Sequence, residues 1–140
     1  MHDILNTIMY CGIGIVLMSL GTFLVDVVIP CHFPTEIKNK NVAVGYITAG
    51  IYIGVGIILK GAIMSPVIGT STATLLEGIM GTMIYFFLGI AACILGYLAM
   101  LAMNKKYNLN KEIAEGNPAA GLMVMGLFIG LSIVISGAIY

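Results

Sequence analysis

Apolar and polar positions do not alternate along this chain; they fall into long blocks. Four runs, at about 4–25, 42–64, 78–103 and 118–140, are almost wholly apolar, and polar residues collect between them. Each run is long enough to cross a bilayer, which takes about 20 residues. Inside lipid every backbone N–H has to be paired within its own segment or in a closed barrel. Continuous hydrophobicity predicts helices. The expected fold is therefore all-α, an integral membrane four-helix bundle forming a single membrane domain over 1–140. Composition agrees: 60% of residues are apolar and 9% charged, where a soluble domain carries about a quarter charged. A mean hydropathy of +1.09 leaves too little polar surface to coat a soluble globule.

The blocks also repeat. Residues 41–63 read NVAVGYITAGIYIGVGIILKGAI and residues 117–139 read NPAAGLMVMGLFIGLSIVISGAI, with Asn, Ala, Gly and Ile recurring in matched columns 76 positions apart. The match reaches upstream to Glu36/Glu112 and Ile37/Ile113. In the preceding spans, Tyr10, Gly14, Ile15, Leu20 and Gly21 match Tyr85, Gly89, Ile90, Leu95 and Gly96 at an offset of 75. The unit is a helical hairpin used twice, about 4–64 and 78–140. Two spans separate the copies, so they cross the membrane in the same direction. Parallel repeats predict a pseudo-two-fold axis along the membrane normal.

On a helix at 100° per residue, Ala43, Gly50, Gly54 and Gly61 fall within about 40° of one another. So do Ala119, Gly126, Gly130 and Gly137. Each stripe holds a G-x-x-x-G, a surface that lets helix backbones approach closely in lipid. The two stripes predict that spans 2 and 4 are central packing elements. Gly45, Ala49 and Gly56 make a second small face on span 2. Its counterpart on span 4, Gly121, Met125 and Ser132, is bulkier and less suited to close approach. This asymmetry points to a homo-oligomer, most simply a dimer, with the contact carried by span 2. Asn41 and the Asn117-Pro118 pair read as helix N-caps, the proline standing where its missing N–H costs nothing.

Charges are few and mostly on one side. Lys38 and Lys40 follow span 1, and Lys105, Lys106 and Lys111 follow span 3; Lys60 stands near the far end of span 2, and there is no Arg. The positive-inside rule then places both termini outside the cytoplasm. MHDILNT lacks Lys and Arg, so the first run is not expected to be a cleaved signal. Zero net charge gives no basic face for nucleic acid. The three cysteines lack disulfide or metal spacing and read as small packing residues. Neither cofactor nor metal is expected. Asp26, Lys60 and Glu77 are the candidates for a polar path or an ion pair, since a charge in a membrane span is a functional hypothesis by default. Their positions at span ends favour anchoring and snorkelling instead. A rotary-ATPase proteolipid would need a carboxylate near the middle of span 2 or 4, and neither has one.

The run PTEIKNKNVAVGYITAGIYIGVGIILKGAI and its echo EIAEGNPAAGLMVMGLFIGLSIVISGAI resemble a family of small bacterial membrane proteins, the domain-of-unknown-function family numbered 350. The resemblance covers nearly the whole chain. It implies a four-span protein of the bacterial inner membrane, with envelope-stress or membrane-associated scaffold proteins as candidate partners. It brings no catalytic residues. The expected function is therefore a non-enzymatic membrane protein that assembles with itself or with partners through its glycine faces. The alternative is an ion or small-solute channel or transporter.

Overall fold

The computed structural model describes residues 2–65 and 75–139; the segment 66–74 and Tyr140, the last residue of the second expected hairpin, lie outside the described residues. Six helices follow in order: α1 (His2–Val28), α2 (Phe33–Lys38), α3 (Val42–Met64), α4 (Leu75–Met103), α5 (Leu109–Ala114) and α6 (Pro118–Ile139). The four long ones are apolar and long enough to span a bilayer. They overrun the sequence blocks slightly: α1 continues to Val28 and α4 starts at Leu75. Their outward sides remain apolar, with Ile8, Val16 and Phe23 of α1 and Leu88 and Leu95 of α4 exposed. Such a surface is stable against hydrocarbon and not against water.

α3 is the centre. It packs against α1, α4 and α6, and its pairing with α6 is by far the most extensive in the bundle. In the most apolar window of α3, 50% of residues are buried, against 17% in that of α6. Span 4 is thus a flank and not a second centre. Among the long helices α6 packs chiefly on α3 and α4, with the short α5 at its start, whereas α3 packs on all three of the others. Val44, Ile47, Ile51 and Val55 of α3 pack with Leu17 and Val25 of α1, Phe86 and Ile90 of α4, and Val124 and Phe128 of α6. Glycine lets α1 and α4 close on their neighbours. A Cβ at Gly21 would meet Ile51 and Val55, and one at Gly96 would meet Leu127 and Leu131.

The short helices α2 and α5 lie at one end of the bundle and end in the same turn. Lys40 and Gly116 adopt left-handed φ of 62° and 82°. At α2, Asn41 N–H reaches Glu36 O and Lys40 N–H reaches Ile37 O; at α5, Asn117 N–H reaches Glu112 O and Gly116 N–H reaches Ile113 O. This is the Schellman arrangement, which satisfies the last carbonyls of a helix. Glycine adopts that φ freely; Lys40 does so at some cost. Asn41 closes the turn and caps the next helix, its Oδ1 accepting from Val44 N–H. The cap read from the sequence is in place.

Candidate functional site

Among the described residues no group of His, Cys, Asp and Glu is placed to hold a metal ion. The chemistry available lies in helix faces and in a few polar side chains at the helix ends.

The stripe on α3 is filled by α6. A Cβ at Gly50 would lie 2.9 Å from Met125 Cα, one at Gly54 2.6 Å from Ser132 Oγ, and one at Gly61 2.5 Å from Ser136 Oγ. At the start of the interface, Ala43 is fully buried and its backbone lies 2.5 Å from where a Gly121 Cβ would stand. Gly121, Met125 and Ser132 are therefore the face that meets α3, although their bulk made them the poorer candidate in the sequence. Side chains on one helix fill the hollow left by small residues on the other, so one glycine surface suffices. Ser132 costs nothing in this setting, because its hydroxyl donates to Phe128 O at 2.7 Å.

Among the described residues nothing packs into the matching stripe on α6. Ala119, Gly126, Gly130 and Gly137 are all exposed, and no atom of another element approaches the three glycines within 4 Å of a built Cβ. α3 and α6 thus press different faces together: the stripe of one meets the opposite face of the other. A two-fold axis between them would pair like faces, so the pseudo-two-fold expected from the repeat does not describe this contact. On the second face of α3, Gly45 is open, Ala49 half-buried, and Gly56 stands 3.6 Å from Met18 Cε of α1. Gly56 also lines an open groove of 780 Å³ between α1 and α3, which Tyr10, Cys11 and Lys60 share.

The three charged candidates do not meet in one path. Asp26 Oδ1 accepts from Phe33 N–H at 2.7 Å, tying the end of α1 to the start of α2. Lys60 is exposed at the opposite end of α3, about 27 Å along the helix from Val42. Glu77 is exposed in the first turn of α4. Between these ends the bundle interior is largely apolar; its buried hydroxyls, Thr82 and Ser132, bond back to their own helices at Gly78 O and Phe128 O, and a void of 10 Å³ is lined by Val25, Ile51, Val55, Phe128 and Ser132, among others. Cys31, in the bend before α2, is a free thiol. Burial, then the Glu36 and Asp26 carboxylates, push it up to about 11. It stays protonated at neutral pH and is a poor nucleophile. Cys93 is buried, as packing requires, and Cys11 is exposed.

Two polar contacts were not legible in the sequence. Asn41, beyond capping α3, donates from Nδ2 to Glu36 Oε2 at 2.8 Å and to the α5 carbonyls of Ile113 (3.0 Å) and Ala114 (3.3 Å). Asn117 makes the same local bond, to Glu112 Oε2 at 2.6 Å, but its amide reaches no second helix end. Tyr97, buried in α4, donates its hydroxyl to Asn110 of α5.

Comparison with known proteins places this geometry in a wider group. The family model described as Domain of Unknown Function (DUF350) matches residues 1–139. A UPF0719 transmembrane protein of Aquifex aeolicus (strain VF5) is 24% identical over 133 residues, which is 94% of this chain and 48% of that protein. The chain thus spans about half the length of this curated relative. No solved structure matches it.

Proposed function

The chain belongs to the DUF350 family, and on that premise we propose that it is a non-enzymatic subunit of a membrane assembly, joined to further copies or to partner proteins through its glycine-rich helix faces. The observation that carries the reading is the contrast between two stripes of nearly one sequence. That of α3 is filled by α6, while that of α6 is open along its length. Close packing of small residues drives helix association in lipid, so an open surface of this kind favours a further helix. A solute path through one chain is disfavoured by its apolar core and by the separation of Asp26 from Lys60. Chemistry on a substrate has no support in the residues described.

The test is a variant that spoils only the open stripe. Gly130→Leu should leave the thermal transition in detergent nearly unchanged and lower the mass of the complex taken from native membranes in nanodiscs. An unchanged mass would remove the open stripe from any assembly.

The site of action is the bacterial inner membrane, with both termini on the outer side, because Lys38, Lys40, Lys105, Lys106 and Lys111 all stand at the end that bears α2 and α5 and cations stay on the cytoplasmic side. A cysteine placed at Tyr140 should react with an impermeant maleimide in intact cells and one at Lys105 should not. The reverse labelling would invert the topology.

A further inference from the structure

From the two ends of this molecule we infer that copies join head to tail, the open stripe of α6 in one copy docking against α3, α2 and α1 of the next. This rests on the assembly reading above and adds the second surface, the occupant and the order. The occupant is another copy of this chain.

The argument is a comparison of matched residues, numbered 76 apart in α2–α3 and α5–α6 and 75 apart in α1 and α4. The contact between the halves of one chain has two sides. One is the α3 stripe with Asn41 above it; the other is the α6 face of Gly121, Met125, Phe128 and Ser132, with Ile113 of α5 above it. Each side has a matched copy elsewhere on the chain; among the described residues the first copy is uncovered and the second is covered only in part, by Met18 of α1 against Gly56. The stripe recurs as the exposed Ala119, Gly126 and Gly130. The receiving face recurs on α3 as Gly45, Ala49, Tyr52 and Gly56, where Gly45 is open and Tyr52 exposed. The short helices follow suit, since Ile113 is 0% exposed and its match Ile37 is 47% exposed.

The neighbouring helices extend the pattern. Ile58 of α3 is 1% exposed against Gly89 of α4, while its match on α6, Val134, is 68% exposed. Phe86 and Ile90 of α4 are buried; their matches on α1, Cys11 and Ile15, are exposed. One molecule therefore carries one such contact closed inside it and the two unlike halves of a second contact at its ends. Unlike halves cannot satisfy each other in a two-fold dimer, where like faces meet. They can between successive copies, which gives a ring where the rotation closes and a row where it does not.

The matched contact also says which groups should meet. Asn117 takes the place of Asn41, and its amide comes within reach of the Ile37 and Lys38 carbonyls at the end of the neighbour's α2. Gly126 takes the place of Gly50, and Ala49 of the next copy takes that of Met125. Lys60 replaces Ser136 at the outer end, where its long stem can carry the ammonium clear of the contact.

The experiment uses disulfides in native membranes. Within the chain a Gly50 Cβ would lie 3.3 Å from Met125 Cβ, close to the disulfide range, so Gly50→Cys/Met125→Cys is the internal control and should close within one chain. The double variant Ala49→Cys/Gly126→Cys should form a ladder of species beyond the dimer on mild oxidation, above the background of the parent chain. Each single variant should add no band, and the two singles expressed together should add one, a mixed dimer. Dimers from the single variants would overturn the head-to-tail order and leave assembly standing. No band from any of them, with the control closed, would overturn this contact. A monomeric mass in nanodiscs alongside that result would overturn assembly as well, whereas a multimeric mass would leave it with another surface.

Discussion

Gly121→Ala should loosen α6 from α3 more than any other single methyl added to this chain. A Cβ there would fall 2.5 Å from both Cα and O of Ala43 and 2.8 Å from its carbonyl carbon. These are backbone atoms near the start of α3, fixed by the Asn41 cap, and they cannot rotate aside as a side-chain tip does. The helices must separate where their pairing is tightest. Overpacking of this kind costs about 1–3 kcal/mol and sometimes more, which for a chain of this size lowers the thermal midpoint by roughly 3–10 °C. The control is Gly126→Ala, on the same helix and at the same depth as contacts the α3 stripe makes. Nothing stands within 4 Å of it, and alanine is the better helix former by about 1 kcal/mol. Scanning fluorimetry of the two variants in mild detergent should separate them clearly. If they melt together, the close approach of α6 to Ala43 is not present in the protein.

That contrast marks how far the sequence could be read. The four spans were plain, because an unbroken apolar run of over 20 residues with no lysine in its middle has few alternatives to a spanning helix. The Asn41 cap was plain for a similar local reason: a polar residue with a free acceptor sits just before an apolar run. The pairing of faces was not. A row of small residues shows that another backbone can come close, but carries no mark of what fills it. Met125 and Ser132 looked too bulky for an interface, yet side chains of that size are what fill the hollow of Gly50 and Gly54. The same holds for Asp26. Its partner, the Phe33 N–H, lies seven residues on, across a bend that no periodicity encodes.

Asn41→Ser should destabilise the protein while Asn117→Ser, in the matched position, should not. Serine keeps an N-cap acceptor, so both variants preserve the start of the long helix. What serine loses is the amide. At Asn41 that amide is buried and carries three bonds: to Glu36, to Ile113 O and to Ala114 O. The two carbonyls are at the end of α5, which has few other donors; Ile113 O retains the Gly116 N–H, but Ala114 O is left to whatever water can enter. Ala114 is exposed, so water can reach its carbonyl, and the cost is that of the lost bonds of a buried amide, about 0.5–1.5 kcal/mol each. At Asn117 the amide serves only Glu112, in a half-exposed setting open to solvent, and its loss should cost about 1 kcal/mol or less. The difference should also be local. Hydrogen exchange of the α5 amides should quicken in Asn41→Ser, since this side chain is what ties α5 to the start of α3, and stay at the parent rate in Asn117→Ser. Equal melting of the two variants, with α5 protected in both, would show that Asn41 is a cap and nothing more.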